Sequence, residues 1–447
     1  MRQPIHLAPL AQFEALVQAL HAALSEGEQF TLSYSGETSD FIRFNQAKVR
    51  QAGQVQQASL SLQLIRDGRH AELQLSLSGV PNLDHPRLAE ALLQLRQTLP
   101  LLPPDPYLLL DTQAWQSRTQ IPDSLPDSAA VIGQIGRAAQ GLDLVGFYAA
   151  GPISRGFASS WGAFGWHQAS SFSFDWSLFL PDGRAVKAQY AGQAWQPEAF
   201  ALRLEQARAQ LALLERPPCT LAPGQYRAYL APAALQEILE LLSWGGFSAR
   251  ALADRHSPLQ RLYAGEAAFS PHVELHEQVS GALSPGFSAE GYPRRDLCLI
   301  RAGQAADRLV GSRSAAEYGL PTNGASPWEA PTALVMAGGD LEQDAILARL
   351  DTGLYIGNLW YLNYSDQPAA RMTGMTRFAT FWVEDGQIRG PLPSMRFDDS
   401  AYSLLGSALE ALTRERELSL STSTYQQRHH DSTLLPGALL ARLTLTL

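Results

Sequence analysis

The stretch Ala58-Ser-Leu-Ser-Leu-Gln-Leu-Ile-Arg-Asp-Gly-Arg-His-Ala-Glu-Leu-Gln-Leu-Ser-Leu77 decides the fold class. Ala58, Leu60, Leu62 and Leu64 alternate with polar residues, and Ala71, Leu73, Leu75 and Leu77 do the same beyond Asp67-Gly68. Successive side chains of a strand point to opposite faces, so each run lays one apolar face on a core. Gly68 supplies the positive φ that a two-residue turn needs, and the pair reads as a β-hairpin with one buried face.

Upstream, Leu10, Phe13, Leu16, Val17, Leu20 and Leu24 recur at helical spacing, and Phe30 to Tyr34 reads as a strand. Downstream, Pro86 opens a second helix through Leu88, Leu92, Leu95 and Leu99, since proline costs least in a first turn. Pro100, Pro103, Pro104 and Pro106 exclude regular structure there and mark a candidate linker. A helix is predicted over 128–140, then strands from Leu144 to Ala191, where Phe172, Phe174, Trp176 and Leu178 alternate with polar residues. Pro197 starts another helix, 198–214, closed by Pro217-Pro218. After Pro217 the texture changes to short β-like segments (273–279, 296–301, 354–364, 379–383), with helices over 235–242 and near 402–412. The expected fold is α+β. Residues 1–219 form helices on an antiparallel sheet built around the hairpin, with a possible sub-boundary at 100–106. Residues 220–447 form a mostly β, twisted or barrel-like domain with the Ala233 to Trp244 helix packed on it.

A chain of 447 residues exceeds one ordinary core, so two or three domains are expected. The apolar fraction of 45% and charged fraction of 17% describe a globular protein with ample core. A net charge of −9 and the lack of a basic, aromatic-interleaved window argue against a nucleic-acid surface. Cys219 and Cys298 stand far apart without CxxC spacing, which excludes a disulfide framework and disfavours a thiolate zinc site. No run of about 18 apolar residues spans a bilayer, and Met1 to Leu10 lacks a signal-peptide pattern, so the cytoplasm is the expected compartment.

Several clusters invite a chemical reading. His272 and His276, with Glu277, are the most metal-like, because residues four apart share a face on a helix and also on a strand. The surrounding residues read as strand, and exposed or partner-contacting histidines are the plainer expectation. Arg428-His429-His430-Asp431 is read as a solvated turn, and Asp398-Asp399 as a cap or exposed loop. Ser248 and Ser288 follow Gly-Phe but lack the final glycine of a hydrolase elbow. Gly133 and Gly136 fall inside a helical pattern and form no dinucleotide fingerprint.

An ordered series of segments carries a family resemblance, from Tyr229 to Asp399 above all. Phe41-Ile-Arg-Phe-Asn-Gln46 is a weak first member; Leu242-Ser-Trp-Gly-Gly-Phe-Ser-Ala249 and Phe287-Ser-Ala-Glu-Gly-Tyr-Pro293 follow. Ala315-Ala-Glu-Tyr-Gly-Leu-Pro-Thr-Asn-Gly324 and Thr373-Gly-Met-Thr-Arg-Phe-Ala-Thr-Phe-Trp-Val-Glu-Asp-Gly386 complete it. The series resembles the TldD/PmbA family of metallopeptidases, also called gyrase modulators, a label that implies no DNA binding here. In the peptidase members one helix carries His-Glu-x-x-x-His. The corresponding helix, Ala234 to Gly246, has no histidine: the metal ligands fall near Glu240 and Gly245, and the catalytic glutamate near Leu241. The family's last zinc ligand, a cysteine, falls at or near Arg428. Ser288 replaces an Asp, and Thr-Asn-Gly replaces Thr-Gly-Asn.

The resemblance therefore implies a PmbA (TldE)-like, non-catalytic subunit, with no catalytic, metal or cofactor residue assigned unless His272, His276, His429 or His430 rebuild a site. The implied partners are a TldD-like peptidase or a second copy of the chain, and an unfolded peptide. A diverged metallopeptidase and a standalone homodimeric peptide-binding protein remain open. For the subunit contact, Phe157 to Trp166 reads as an interface loop and Leu359 to Tyr364 as ordinary core.

Overall fold

A computed structural model describes residues 8–446; residues 1–7, read above for a targeting signal, lie outside the described residues. Helix α1 (Pro9–Ala23) precedes three long strands, β1 (Gln29–Asn45), β2 (Lys48–Arg66) and β3 (Arg69–Leu77). The predicted turn is present, with Asp67 at φ 52° and Gly68 at φ 71°, and it pairs Ala58 with Leu77 through Arg66 with Arg69. Helix α2 (Pro81–Thr98) follows, then β4 (Gln116–Gln120), α3 (Ser128–Ala138), β5 (Asp143–Ser159), β6 (Phe164–Phe179), β7 (Ala185–Gly192) and α4 (Pro197–Leu214).

The strand order is β3-β2-β1-β5-β6-β4, with β7 also on β6. All pairs are antiparallel except β4 with β6. The hairpin thus forms one edge, not the centre; the middle belongs to β1 and β5. The four helices cover one face, α1 and α2 at one end of the strands and α3 and α4 at the other. Phe13, Leu16 and Leu20 of α1 and Leu92 and Leu95 of α2 pack on Phe30, Leu32, Leu60, Leu62 and Leu64. Phe172, Phe174 and Trp176 pack under α3 and α4. Each of these large side chains contributes roughly 1.5–3 kcal/mol on leaving water.

One helix start differs from expectation. Helix α2 begins at Pro81, and Pro86 lies inside it. Buried Asp84 organises the entry, accepting from Gln12 Nε2 at 2.8 Å, Ser78 N at 2.9 Å and Gly79 N at 3.0 Å.

The second sheet begins at β8 (Gly224–Leu230), which runs into helix α5 (Pro232–Ser243). Short strands β9 (Leu275–Glu277), β10 (Leu297–Arg301), β11 (Gln304–Ala305) and β12 (Ala333–Met336) come next. Longer ones complete it: β13 (Gly353–Asp366), β14 (Arg371–Glu384), β15 (Gln387–Pro391), β16 (Arg396–Ser400), β17 (Leu409–Leu420) and β18 (Ser432–Leu445). The order is β11-β10-β9-β12-β18-β16-β14-β13-β8, and β18 also pairs with β8. Five strands therefore nearly close a ring, joined at β16 and β18 only through Phe397 and Leu445. The helix expected near 402–412 is one irregular turn, Ser403–Ser407, followed by β17. Its leucines are captured by pairing with β18, from Leu409 opposite Leu440 to Leu420 opposite Ser432.

Candidate functional site

Helix α5 has two chemically distinct faces. Ala234, Leu235, Ile238, Leu239, Leu241 and Leu242 are buried in the core of the ring. Gln236, Glu237, Glu240 and Ser243 instead line a cavity of about 1060 Å³, whose other walls come from β6, β7, α4, β13 and β17. The cavity lies between the two sheets. Its lining carries six carboxylates (Asp175, Glu237, Glu240, Glu415, Glu417, Asp431) against three cations (Lys187, Arg203, Arg416). Lys187 Nζ pairs with Asp175 at 3.0 Å, and Gln236 donates to Glu240 at 2.6 Å.

This crowding perturbs the acids. Burial, then the neighbouring Glu240, pushes the Glu237 carboxyl up to about 7. Burial also raises Glu417 against the pull of Arg203, and Asp431 against the pull of His429. Asp431 itself is exposed to water at the wall of this open cavity.

The family's zinc does not fit the residues present on α5. Leu241 is 3% exposed and points into the core, so it reaches neither water nor substrate. Gly245 lies past the helix end at φ 83° and has no side chain. Near Arg428 the chain is committed elsewhere. Its guanidinium is buried, donating to Ser39 Oγ and Gly151 O at 3.2 Å and to Ser171 O at 2.9 Å. Its backbone N–H donates to Glu37 at 3.3 Å. Burial lowers this arginine to about 10, which leaves it charged at neutral pH.

The other candidates separate. His272 is exposed in a turn before β9, apart from His276 on the strand. Glu277 is 1% exposed and structural: it pairs with Arg294 and accepts from Thr332 N and Ala333 N at 3.1 Å. The solvated turn expected at 428–431 is a buried anchor, because Arg428 and His430 both pack inside. His430 stands edge-on to His167 at 6.4 Å, and burial lowers it well below the ordinary histidine range. Asp398 and Asp399 lie on strand β16, not in a loop; Asp399 accepts from Thr444 Oγ1 at 2.9 Å and Asp398 pairs with Arg371. Ser248 caps the turn at Ala251 and donates to Glu329, and Ser288 accepts from Tyr292 N at 3.2 Å. Both hydroxyls serve local structure.

A group that the sequence reading passed over is Glu274, His276 and Cys298, among the described residues the one set of three close metal-type donors. The signal was the Glu-x-His spacing at the start of an extended segment, which puts both side chains on one side. Cys298 joins them only through sheet pairing.

Burial in the two aromatic segments is largely the reverse of that expectation, although Trp161 at the first turn is only half-buried. Phe157 to Trp166 is a tight turn between β5 and β6, with Phe157, Phe164 and Trp166 buried against Trp115, Phe13 and Tyr34. On β13, Leu359 is buried, but Trp360 is 48% and Tyr361 79% exposed. Arg377 lies 4.2 Å from the Trp360 ring.

The sequence profile described as the PmbA/TldA metallopeptidase C-terminal domain matches residues 223–446, from the start of β8 to the end of β18. No curated protein matches the chain by sequence. Several solved structures share its fold, three of which illustrate the likeness. TldE from Thermococcus kodakarensis superposes with a TM-score of 0.79 at 15% identity, over 97% of this chain and 100% of that one. A Thermotoga maritima protein described as a modulator of a DNA gyrase gives 0.75 at 13% identity, over 98% of this chain and 100% of its own. A Bacteroides thetaiotaomicron protein of the same description gives 0.73 at 16% identity, over 98% of each chain. With half of its length, including α5 and the whole ring, matched by the family's own domain, the chain belongs to the PmbA/TldD family.

Proposed function

We propose that this chain is a non-catalytic, TldE-like cytoplasmic subunit that pairs with a TldD-type metallopeptidase and helps enclose the chamber where unfolded peptide meets the partner's zinc. The observation that carries the reading is the cavity face of α5. Gln236, Glu237, Glu240 and Ser243 offer no imidazole or thiolate on the helix that holds zinc in the family's peptidase members. The likeness to TldE supports the same side of the family. A cavity of about 1060 Å³ suits a few extended residues rather than a folded domain.

The test is co-expression with a TldD-like peptidase from the same organism. The two chains should co-elute, and unfolded peptide should be cut only when both are present and the partner's zinc ligands are intact. Chelator-sensitive cleavage by this chain alone would make it a diverged peptidase. A homodimer that ignores the peptidase and still binds peptide would make it a standalone binding protein.

A further inference from the structure

Three donors of different chemistry meet where β9 pairs with β10, Glu274 from the residue just before β9, His276 on it and Cys298 on β10. Glu274 and His276 are two residues apart, and Cys298 sits directly opposite His276 in the antiparallel ladder. His276 Nε2 is 3.4 Å from Glu274 Oε1, and Cys298 Sγ is 3.5 Å from the same oxygen. All three donor atoms lie within 4.8 Å of one another. Ligand atoms around a tetrahedral zinc stand roughly 3.3–3.8 Å apart, which follows from bond lengths of about 2.0–2.3 Å. Two of the three separations already meet that geometry.

We propose that Glu274, His276 and Cys298 form a three-ligand site for a zinc-class divalent cation, separate from α5 and its cavity. The donor set selects this class: thiolate and imidazole favour zinc, whereas magnesium and calcium take oxygen. A carboxylate and a thiolate together supply the two negative charges that neutralise a dication. The carboxylate is also oriented from behind, because its second oxygen accepts the Ala302 N–H at 2.8 Å. Cys298 is buried while Glu274 and His276 are half-buried, so the fourth position opens to solvent and gives the ion its way in. Two charged groups stand near: Arg301 beside the thiol, and Asp296, which is held by Ser280 and the N–H of Val279. On binding, the sulfur lone pair forms the metal bond and the thiol proton leaves to solvent; nothing is oxidised or reduced. The competing arrangement is a metal-free cluster in which the thiol keeps its proton and bonds to Ile300 O, 3.4 Å away.

The inference does not rest on the subunit reading, and its test leaves assembly aside. The full chain, reduced and stripped with chelator, is titrated with Co²⁺ as a spectroscopic stand-in for zinc. Expected are saturation at equimolar metal, a thiolate-to-cobalt charge-transfer band in the near ultraviolet, loss of the band on adding zinc, and release of about one proton per metal at neutral pH. Cys298→Ser should abolish the band and Glu274→Gln should weaken binding, while His272→Ala and Cys219→Ser leave both unchanged. Should a variant misfold, the unaltered chain still decides: equimolar zinc should slow alkylation of Cys298, mapped by mass spectrometry, without slowing Cys219. Absence of the band, its survival in Cys298→Ser, or alkylation of Cys298 indifferent to zinc overturns the proposal.

Discussion

At the scale of single residues, Glu237 is where the cavity states its chemistry. Burial and Glu240 lift its carboxyl from 4.5 to about 7. Between those values the folded chain keeps a proton that the unfolded chain has released. Stability therefore falls as pH rises through that window, and the penalty is complete above it; below about 4.5 both states are protonated and none remains. Glu237→Gln should accordingly stabilise the protein at pH 8, by on the order of 1 kcal/mol once the shift is discounted for water in the cavity. At pH 4 it should change nothing. Urea unfolding at the two pH values checks this, and an equal effect at both would remove burial of the charge as the cause. None of this was legible in the sequence, where Glu237 is one of two glutamates on an amphipathic helix. Arg428 was misread for a similar reason: Arg-His-His-Asp looks solvated, and only the folded chain supplies Ser39, Gly151 and Ser171 as its acceptors.

At the scale of elements, periodicity served well where one rule governed the segment. The hairpin turn, α1, α4 and α5 stand close to where the apolar pattern puts them. The extent of β1 and β2 was hidden because their turn is made by Gln46 at φ 51° and Ala47 at φ 57°, without the glycine or asparagine that announces such a turn. Left-handed backbone costs such residues about 1–2 kcal/mol each, which the long ladder of β1 and β2 offsets. The segment 409–420 was read as partly helical because its leucines fit either period, and only pairing with β18 chooses the strand. Helix α5 permits a direct test of how far an element can be rewritten. Glu240→His, Leu241→Glu and Gly245→His together install the family's peptidase motif. The triple variant should gain neither stoichiometric zinc nor activity. Its new glutamate would replace a 3% exposed leucine in the core, and its second histidine would sit beyond the helix end on left-handed backbone. An unpaired buried carboxylate should also cost several kcal/mol of stability. Zinc bound in proportion to chain, together with unchanged stability, would show that α5 can turn its catalytic face to the cavity.

At the scale of the molecule, the two sheets share more than a linker. Ala379 and Phe381 of β14 belong to the cluster built on Phe172, Phe174 and Trp176. The chain just before β18 is fastened into the first sheet through Arg428. We propose a domain boundary near residue 219, between α4 and β8; residues from both sides of it line the cavity. A subunit contact should then be sought where large aromatics are left outside these cores, and the exposed aromatics of β13 are the first to test. Trp360 and Tyr361 are exposed, their rings lie 5.5 Å apart, and Arg377 sits on Trp360. Tryptophan, tyrosine and arginine dominate binding energy at interfaces, whereas scattered exposed apolar residues contribute little. Trp360→Ala with Tyr361→Ala should leave the thermal midpoint of the isolated chain almost unchanged, because neither ring is in a core cluster. The same variant should weaken association with a TldD-like peptidase by 2 kcal/mol or more, about 30-fold in Kd. Sedimentation of the mixed chains measures it. Undiminished association would move the contact elsewhere on the surface, with the loop bearing Trp328, 86% exposed, as the next residue to change.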